Sequence, residues 1–114
     1  MQYFCARVLI VCLVDDGKPR KRDLCDHQFV VVRARDSEHA FERALEFGRA
    51  AEMTYKNPKG QKVRWAFVRV ESIKRLGRKI DGREVGSVLG DERSPKDVSF
   101  RQRFRPDKHQ PYEA

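Results

Sequence analysis

One hundred and fourteen residues, 39% apolar and 37% charged, suffice for one compact core under a heavily charged surface and exclude a second core. No run approaches the roughly 20 apolar residues of a membrane-spanning helix. The apolar opening also lacks the basic start and small-residue cleavage site of a signal peptide, so the expectation is a cytoplasmic chain with no membrane partner. The net charge of +8 admits nucleic acid, an acidic protein or an anionic surface as partner, and selects none of them.

In chain order, Gln2 to Val14 reads as a first strand. Phe4, Ala6, Val8, Ile10, Cys12 and Val14 form one wholly apolar face, and the other face is only partly polar. Burial on both sides is the mark of an interior strand. Asp15-Asp16-Gly17 turns the chain into a basic loop, Lys18-Pro19-Arg20-Lys21-Arg22. A second strand over 24–35, with a β-branched heart at Val30-Val31-Val32, follows so closely that an antiparallel hairpin is expected.

Asp36 or Ser37 caps a helix whose first turn carries Glu38, favourable against the macrodipole. Ala40, Phe41, Ala44, Leu45, Gly48, Ala51 and Tyr55 recur at helical spacing and predict one apolar stripe running through Tyr55. Gly48 is unfavourable within a helix by roughly 1 kcal/mol relative to alanine. Its presence marks a close approach to the sheet, with Phe29 or Trp65 as the expected neighbour.

The chain is organised around residues 55–70. Asn57-Pro58-Lys59-Gly60 has the composition of a tight turn, because Asn can bond its own backbone and Pro58 arrives with φ preset. Val63, Trp65 and Phe67 then alternate with Arg64, Ala66 and Val68 in a central strand that holds the only tryptophan, expected to lie beneath the helix. The apolar phase shifts near Glu71-Ser72, which predicts a bulge or a break in the strand there. Ile80-Asp81-Gly82-Arg83 reads as a hairpin turn folding residues 85–89 back as a last short strand.

The expectation is therefore an α+β domain over residues 1–90. It is a small, mostly antiparallel β-β-α-β-β sheet with one helix packed on one face. A charged, flexible tail over 91–114 follows, low in apolar density for its length.

These residues resemble a bacterial single-domain family catalogued as a domain of unknown function. The likeness rests on the opening strand YFCARVLIVCLVDDG, the segment VVVRARDSEHAFERA and the IDGREVGS turn, with Tyr55, Asn57, Gly60, Val63, Trp65, Phe67 and Val70 between them. It covers about Tyr3 to Leu89 and implies the single-domain fold. It implies no activity. Where members of that family often carry an acidic residue before the second strand, this chain has Cys25-Asp26-His27-Gln28.

No catalytic, metal or cofactor site is expected. His27, His39 and His109 are scattered, Cys25-x-His27 has no second half of a metal site, and no serine stands in a nucleophile-elbow context. Cys5, Cys12 and Cys25 fall in apolar or alternating runs and read as free thiols in a reducing compartment. Glu38, Glu42 and Glu46, interleaved with Arg43 and Arg49, read as a solvated helix face.

Three functional readings remain, in order. First is a non-catalytic protein-binding or assembly module, a homo-oligomer or a complex with another protein. It would work through a free sheet edge, expected at residues 85–89, with Phe100 and Phe104 as further docking groups. Second is nucleic-acid binding through Lys18, Arg20, Lys21 and Arg22, through Lys59, Lys62 and Arg64, and through Arg101, Arg103 and Arg105 interleaved with Phe100 and Phe104. Lys56, Lys74, Arg75, Arg78 and Lys79 extend the same basic clusters. Third is a small enzyme, whose cleft would be sought first beside Tyr55, Asn57, Arg64 and Trp65.

Overall fold

The computed structural model describes residues 1–18, 20–87, 89, 99–101 and 103–108. Strands β1 (Gln2–Val14) and β2 (Leu24–Ala34) are followed by helix α1 (Ser37–Ala50), then β3 (Met53–Lys56) and β4 (Lys62–Gly77). The strands form one antiparallel sheet in the order β2-β1-β4-β3. This is a small α+β fold with the β-β-α-β-β order that the sequence predicts.

The two-sided apolar pattern of β1 has its expected consequence. β1 pairs with β2 on one side and β4 on the other. Phe4, Ala6, Val8 and Ile10 are buried on the face that α1 covers. Phe4 packs with Val32, Ala34 and Ala40 into the core, with Val30 and Ile73 against it. Asp36 is the N-cap and its side chain accepts the His39 N–H at 2.8 Å, satisfying a donor that the first turn leaves without a helical partner. Ala40, Ala44 and Gly48 form the buried stripe of the helix.

Gly48 is the point of closest approach, but its neighbour is neither Phe29 nor Trp65. A Cβ built there would stand 2.5 Å from the ring of Phe67, so α1 rests directly on β4. Phe29 is on the opposite face, where it pairs with Arg7. Trp65 is half-buried beyond the helix end and its indole N–H donates to the Tyr55 hydroxyl at 3.2 Å.

Two expectations about the strands are corrected. The helix ends at Ala50 instead of continuing through Tyr55, and residues 53–56 form β3, a strand hidden within the tail of the helical stripe. The turn at residues 57–60 therefore joins two strands. Asn57 Oδ1 accepts from the N–H groups of Lys59 (3.0 Å) and Gln61 (2.9 Å), and Gly60 donates to the Asn57 carbonyl at 2.9 Å with φ +77, in the left-handed region that favours glycine. Glu52 lies past the helix and accepts the Phe67 N–H at 3.1 Å, just beyond the end of β3.

The second correction concerns the expected last strand. Arg83 N–H bonds the Ile80 carbonyl at 3.0 Å, so the turn forms. Residues 83–87 and 89 are nevertheless not in a strand, and residues 84–87 fold over the second face instead. A Cβ on Gly86 would meet the Phe29 ring at 2.5 Å, and Glu84 pairs with Lys74 at 3.6 Å. Val88 of that expected strand lies outside the described residues. So do Pro19, residues 90–98, Gln102 and residues 109–114, which include most of the expected tail and His109.

The predicted bulge is present and is not alone. Along β1 the β4 register skips Leu76, Glu71 and Val68, so β4 carries an extra residue at three places and the sheet curls.

Candidate functional site

The second face of the sheet gathers the densest set of polar side chains among the described residues. Alternation puts Cys5, Arg7 and Leu9 of β1 there, beside His27 and Phe29 of β2. The bulge adds Glu71 of β4, which stands out of the ladder between Val70 and Ser72. Its Oε1 is 2.5 Å from His27 Nδ1 and 3.3 Å from Arg7 Nε, so one carboxylate ties three strands together. The hydrogen bond to His27 is the largest of the influences holding the Glu71 carboxyl below its usual pKa, and Arg7 and Arg69 add to it. The Arg7 guanidinium also lies over the Phe29 ring, 5.6 Å from its centroid.

Beside this cluster, Cys5, Arg7, Phe29, Ser72, Lys74 and residues 84–87 enclose a hollow of about 190 Å³. Burial pushes the Cys5 thiol up, against a smaller opposing effect from Lys74. A thiol held protonated in this way is a packing group and a poor nucleophile. Every charge here has a partner of opposite sign, Arg7 with Glu71 and Lys74 with Glu84. The arrangement is that of a braced surface.

A second cleft, of about 440 Å³, lies at the end of the sheet where the β1–β2 loop meets the β3–β4 turn. Asp15 N–H bonds the Lys62 carbonyl at 2.8 Å and seals the two together. Lys18, Arg20 and Lys59 line the cleft with Asp16, Asn57 and Gln61. Three of the basic residues named in the sequence are thus brought together at one end of the sheet. Asp16 pairs with the Arg20 guanidinium and accepts the Lys18 N–H at 3.0 Å, and these contacts, the second foremost, hold its carboxyl below the usual range. One of the three cations is thus already neutralised.

The remaining candidates do not join that cleft. Lys21, Arg22 and Lys62 are exposed outside its lining. Arg64 faces Glu52 at 4.0 Å. Arg101 and Arg103 are exposed, and Arg105 is bound to Asp107 at 3.1 Å. Phe100 and Phe104 both present their rings to solvent. Tyr55, Asn57, Arg64 and Trp65 do not converge on one cleft, because Arg64 points to the other face from Trp65 and Asn57 is spent on its turn. Cys25 and His27 also diverge: the thiol reaches the Asp23 carbonyl at 3.6 Å, and the imidazole reaches Glu71. Among the described residues no group of three His, Cys, Asp or Glu side chains could hold a metal, and no helix is long and apolar enough to cross a membrane.

Sequence reasoning missed the Arg7–Glu71–His27 cluster, in which His27 and Glu71 stand 44 positions apart and Arg7 lies farther still from Glu71. The phase shift near Glu71 was the available signal. It locates a bulge without telling which side chains the bulge meets.

The sheet edges differ sharply. On one side β3 covers only four residues of β4, whose remaining outer side is interrupted by bulges. β2 offers eleven, with Leu24 (67%), Phe29 (39%) and Val31 (39%) exposed, and among the described residues no strand pairs with its outer side. Arg43 Nη1 reaches around this edge to the Arg33 carbonyl at 2.7 Å.

Searches among curated proteins and among solved structures return no significant match. Residues 3–87 match a family described as "Domain of unknown function (DUF4288)", which takes in every strand, the helix and the segment folded over the second face. With that much of its length matched, the chain belongs to this DUF4288 family.

Proposed function

We propose that the chain is a non-catalytic protein-binding module whose working surface is the outer edge of β2, where it takes up an additional strand. The observation that carries this reading is the length and chemistry of that edge. An eleven-residue strand whose outer side meets no other strand among the described residues, with three exposed apolar side chains, is what natural proteins ordinarily shorten, charge or cover. Main-chain bonds along such an edge supply affinity, and alternate side chains supply specificity. The edge expected from sequence, at 85–89, has no part in this reading.

The test is a photo-cross-linking residue placed at Val31 in the source cell, with Tyr55 on β3 as control and nuclease treatment in parallel. Discrete, nuclease-resistant protein adducts from position 31, absent from position 55, are expected. Equal labelling from both positions, or none from 31, counts against the reading.

Nucleic-acid binding is a second reading, favoured by the meeting of Lys18, Arg20 and Lys59 around the sheet-end cleft. Phosphate contacts of this kind weaken steeply with salt. Titration of mixed single- and double-stranded oligonucleotides at low ionic strength decides it: binding lost in the Lys18→Glu/Lys59→Glu variant supports it, and a flat response ends it.

A further inference from the structure

We propose that the strand added to β2 is β2 of a second copy, paired antiparallel about a two-fold axis at Phe29, so that two four-stranded sheets become one. This rests on the edge reading above and adds the partner and the register.

The backbone first decides which groups face outward. Asp15 N–H bonds Lys62 of β4, so the odd-numbered residues of β1 turn their backbone groups toward β4 and the even-numbered ones toward β2. Through the continuous β1–β2 register, which pairs Phe4 with Val32 and Ala6 with Val30, the even-numbered residues of β2 bond inward. Cys25, His27, Phe29, Val31 and Arg33 therefore direct their N–H and C=O groups away from the sheet. The Arg33 carbonyl agrees independently, since it meets Arg43 from outside the β1–β2 ladder.

An antiparallel two-fold centred on one of these outward residues sets outward groups against outward groups, and among the described residues only the Arg33 carbonyl already has a partner, in Arg43. Phe29 is the midpoint of Leu24–Ala34, so a centre there pairs the strand end to end. Phe29 then lies opposite Phe29 of the second copy, Val31 opposite His27, Arg33 opposite Cys25 and Leu24 opposite Ala34. The most exposed apolar side chain of the strand, Leu24, lies at the end of the pairing opposite Ala34, and the Phe29 rings meet with Val31 of the other copy diagonal to them. Asp26 falls opposite Val32, so no charged side chain directly opposes another.

Neighbouring registers are poorer. A centre at Val30 sets His27 against Arg33 and leaves Leu24 and Cys25 unpaired. It also brings Asp26 diagonal to Asp36. A centre at Gln28 leaves Arg33 and Ala34 beyond the end of the partner strand. The opposite edge of the sheet is less regular, because β3 covers only residues 62–65 of β4, Glu52 takes the next N–H at Phe67, and the rest of β4 carries the extra residues that bend it.

The experiment combines light scattering across a concentration series with site-directed disulfide formation in the full chain. In a Cys25→Ser background, Phe29→Cys places two thiols directly opposite. Their Cα separation is about 5.5 Å, within the roughly 4.4 to 6.8 Å that a disulfide spans. Val31→Cys, facing position 27, does not self-link. Val31→Pro removes an outward N–H at a site where an edge strand tolerates proline. The expected results are a doubled mass for the native chain that rises with concentration, a covalent dimer for Phe29→Cys and none for Val31→Cys. Val31→Pro gives a monomer with unchanged circular dichroism. A native chain that remains monomeric near millimolar concentration overturns the self-pairing. If position 31 still yields adducts of other masses in cells, the edge reading survives that failure; if it yields none, both fall. A dimer that links through 31 and not 29 overturns the register.

Discussion

The two faces of this sheet are built from the same strands and behave as different materials. The covered face is made of small and branched apolar groups under a helix narrowed by Ala40, Ala44 and Gly48, and Phe4 there is 1% exposed. The other face sets Arg7, His27 and Glu71 among partly exposed Phe29 and Val31, and its lid is an irregular segment held by a glycine and an ion pair. Apolar packing is collective and responds to any change in volume, whereas a braced polar cluster responds to charge and solvent. The stability of the domain is therefore expected to reside on the first face, and its adaptability on the second.

The widest separation between the faces should come from two phenylalanines on opposite sides. Phe4→Ala removes a fully buried ring and is expected to lower stability by about 3 to 5 kcal/mol. Phe29→Ala, on the open face, should lose at most about half of that. Chemical denaturation of both variants measures the contrast, and equal losses would mean that the second face is as much core as the first.

Gly48→Leu probes the helix-to-sheet spacing itself. A side chain there must displace the Phe67 ring, a strain of about 1 to 3 kcal/mol, while the gain in helix propensity is under about 1 kcal/mol. A net loss in thermal and denaturant unfolding is expected, and an unchanged or higher midpoint would show that α1 lifts freely from β4.

At the sheet end, Asn57→Ala removes two side-chain bonds that hold the β3–β4 turn. A loss of about 1 kcal/mol is expected, with faster amide exchange confined to β3 and the turn.

Protonation gives the smallest and most specific effect. A carboxyl whose folded pKa is depressed adds stability that is fully present above its unfolded value, near about 4.3 for glutamate, and is lost as pH falls through the folded value. Glu71 is such a group, tied to His27 and Arg7. The denaturation midpoint should therefore decline on acidification from about pH 5 downward, and less steeply in Glu71→Gln. Identical slopes in the two proteins would show that the bulge carboxylate does not couple folding to pH.

Much of the architecture was legible because it depends on near neighbours. The period-two pattern of β1 forces an interior strand, Asp36 caps the helix by its own short side chain, and Asn57 and Gly60 make their turn locally. Residues 53–56 were misread because helical and extended phases overlap there: Tyr55 continues the helical stripe by spacing, and only pairing with Val63 makes it a strand residue.

The amino-acid sequence alone determined the α+β class, the hairpin of β1 with β2, the small-residue face of the helix and an irregularity near Glu71. Tertiary structure alone decided that Phe67 lies under Gly48, that residues 84–87 cover a face instead of extending the sheet, and that Arg7, His27 and Glu71 meet. The reason is one of range. Period, capping and turn chemistry act over a few residues, whereas the extra residues of β4 set how strands bring distant side chains together, and that depends on every pairing at once.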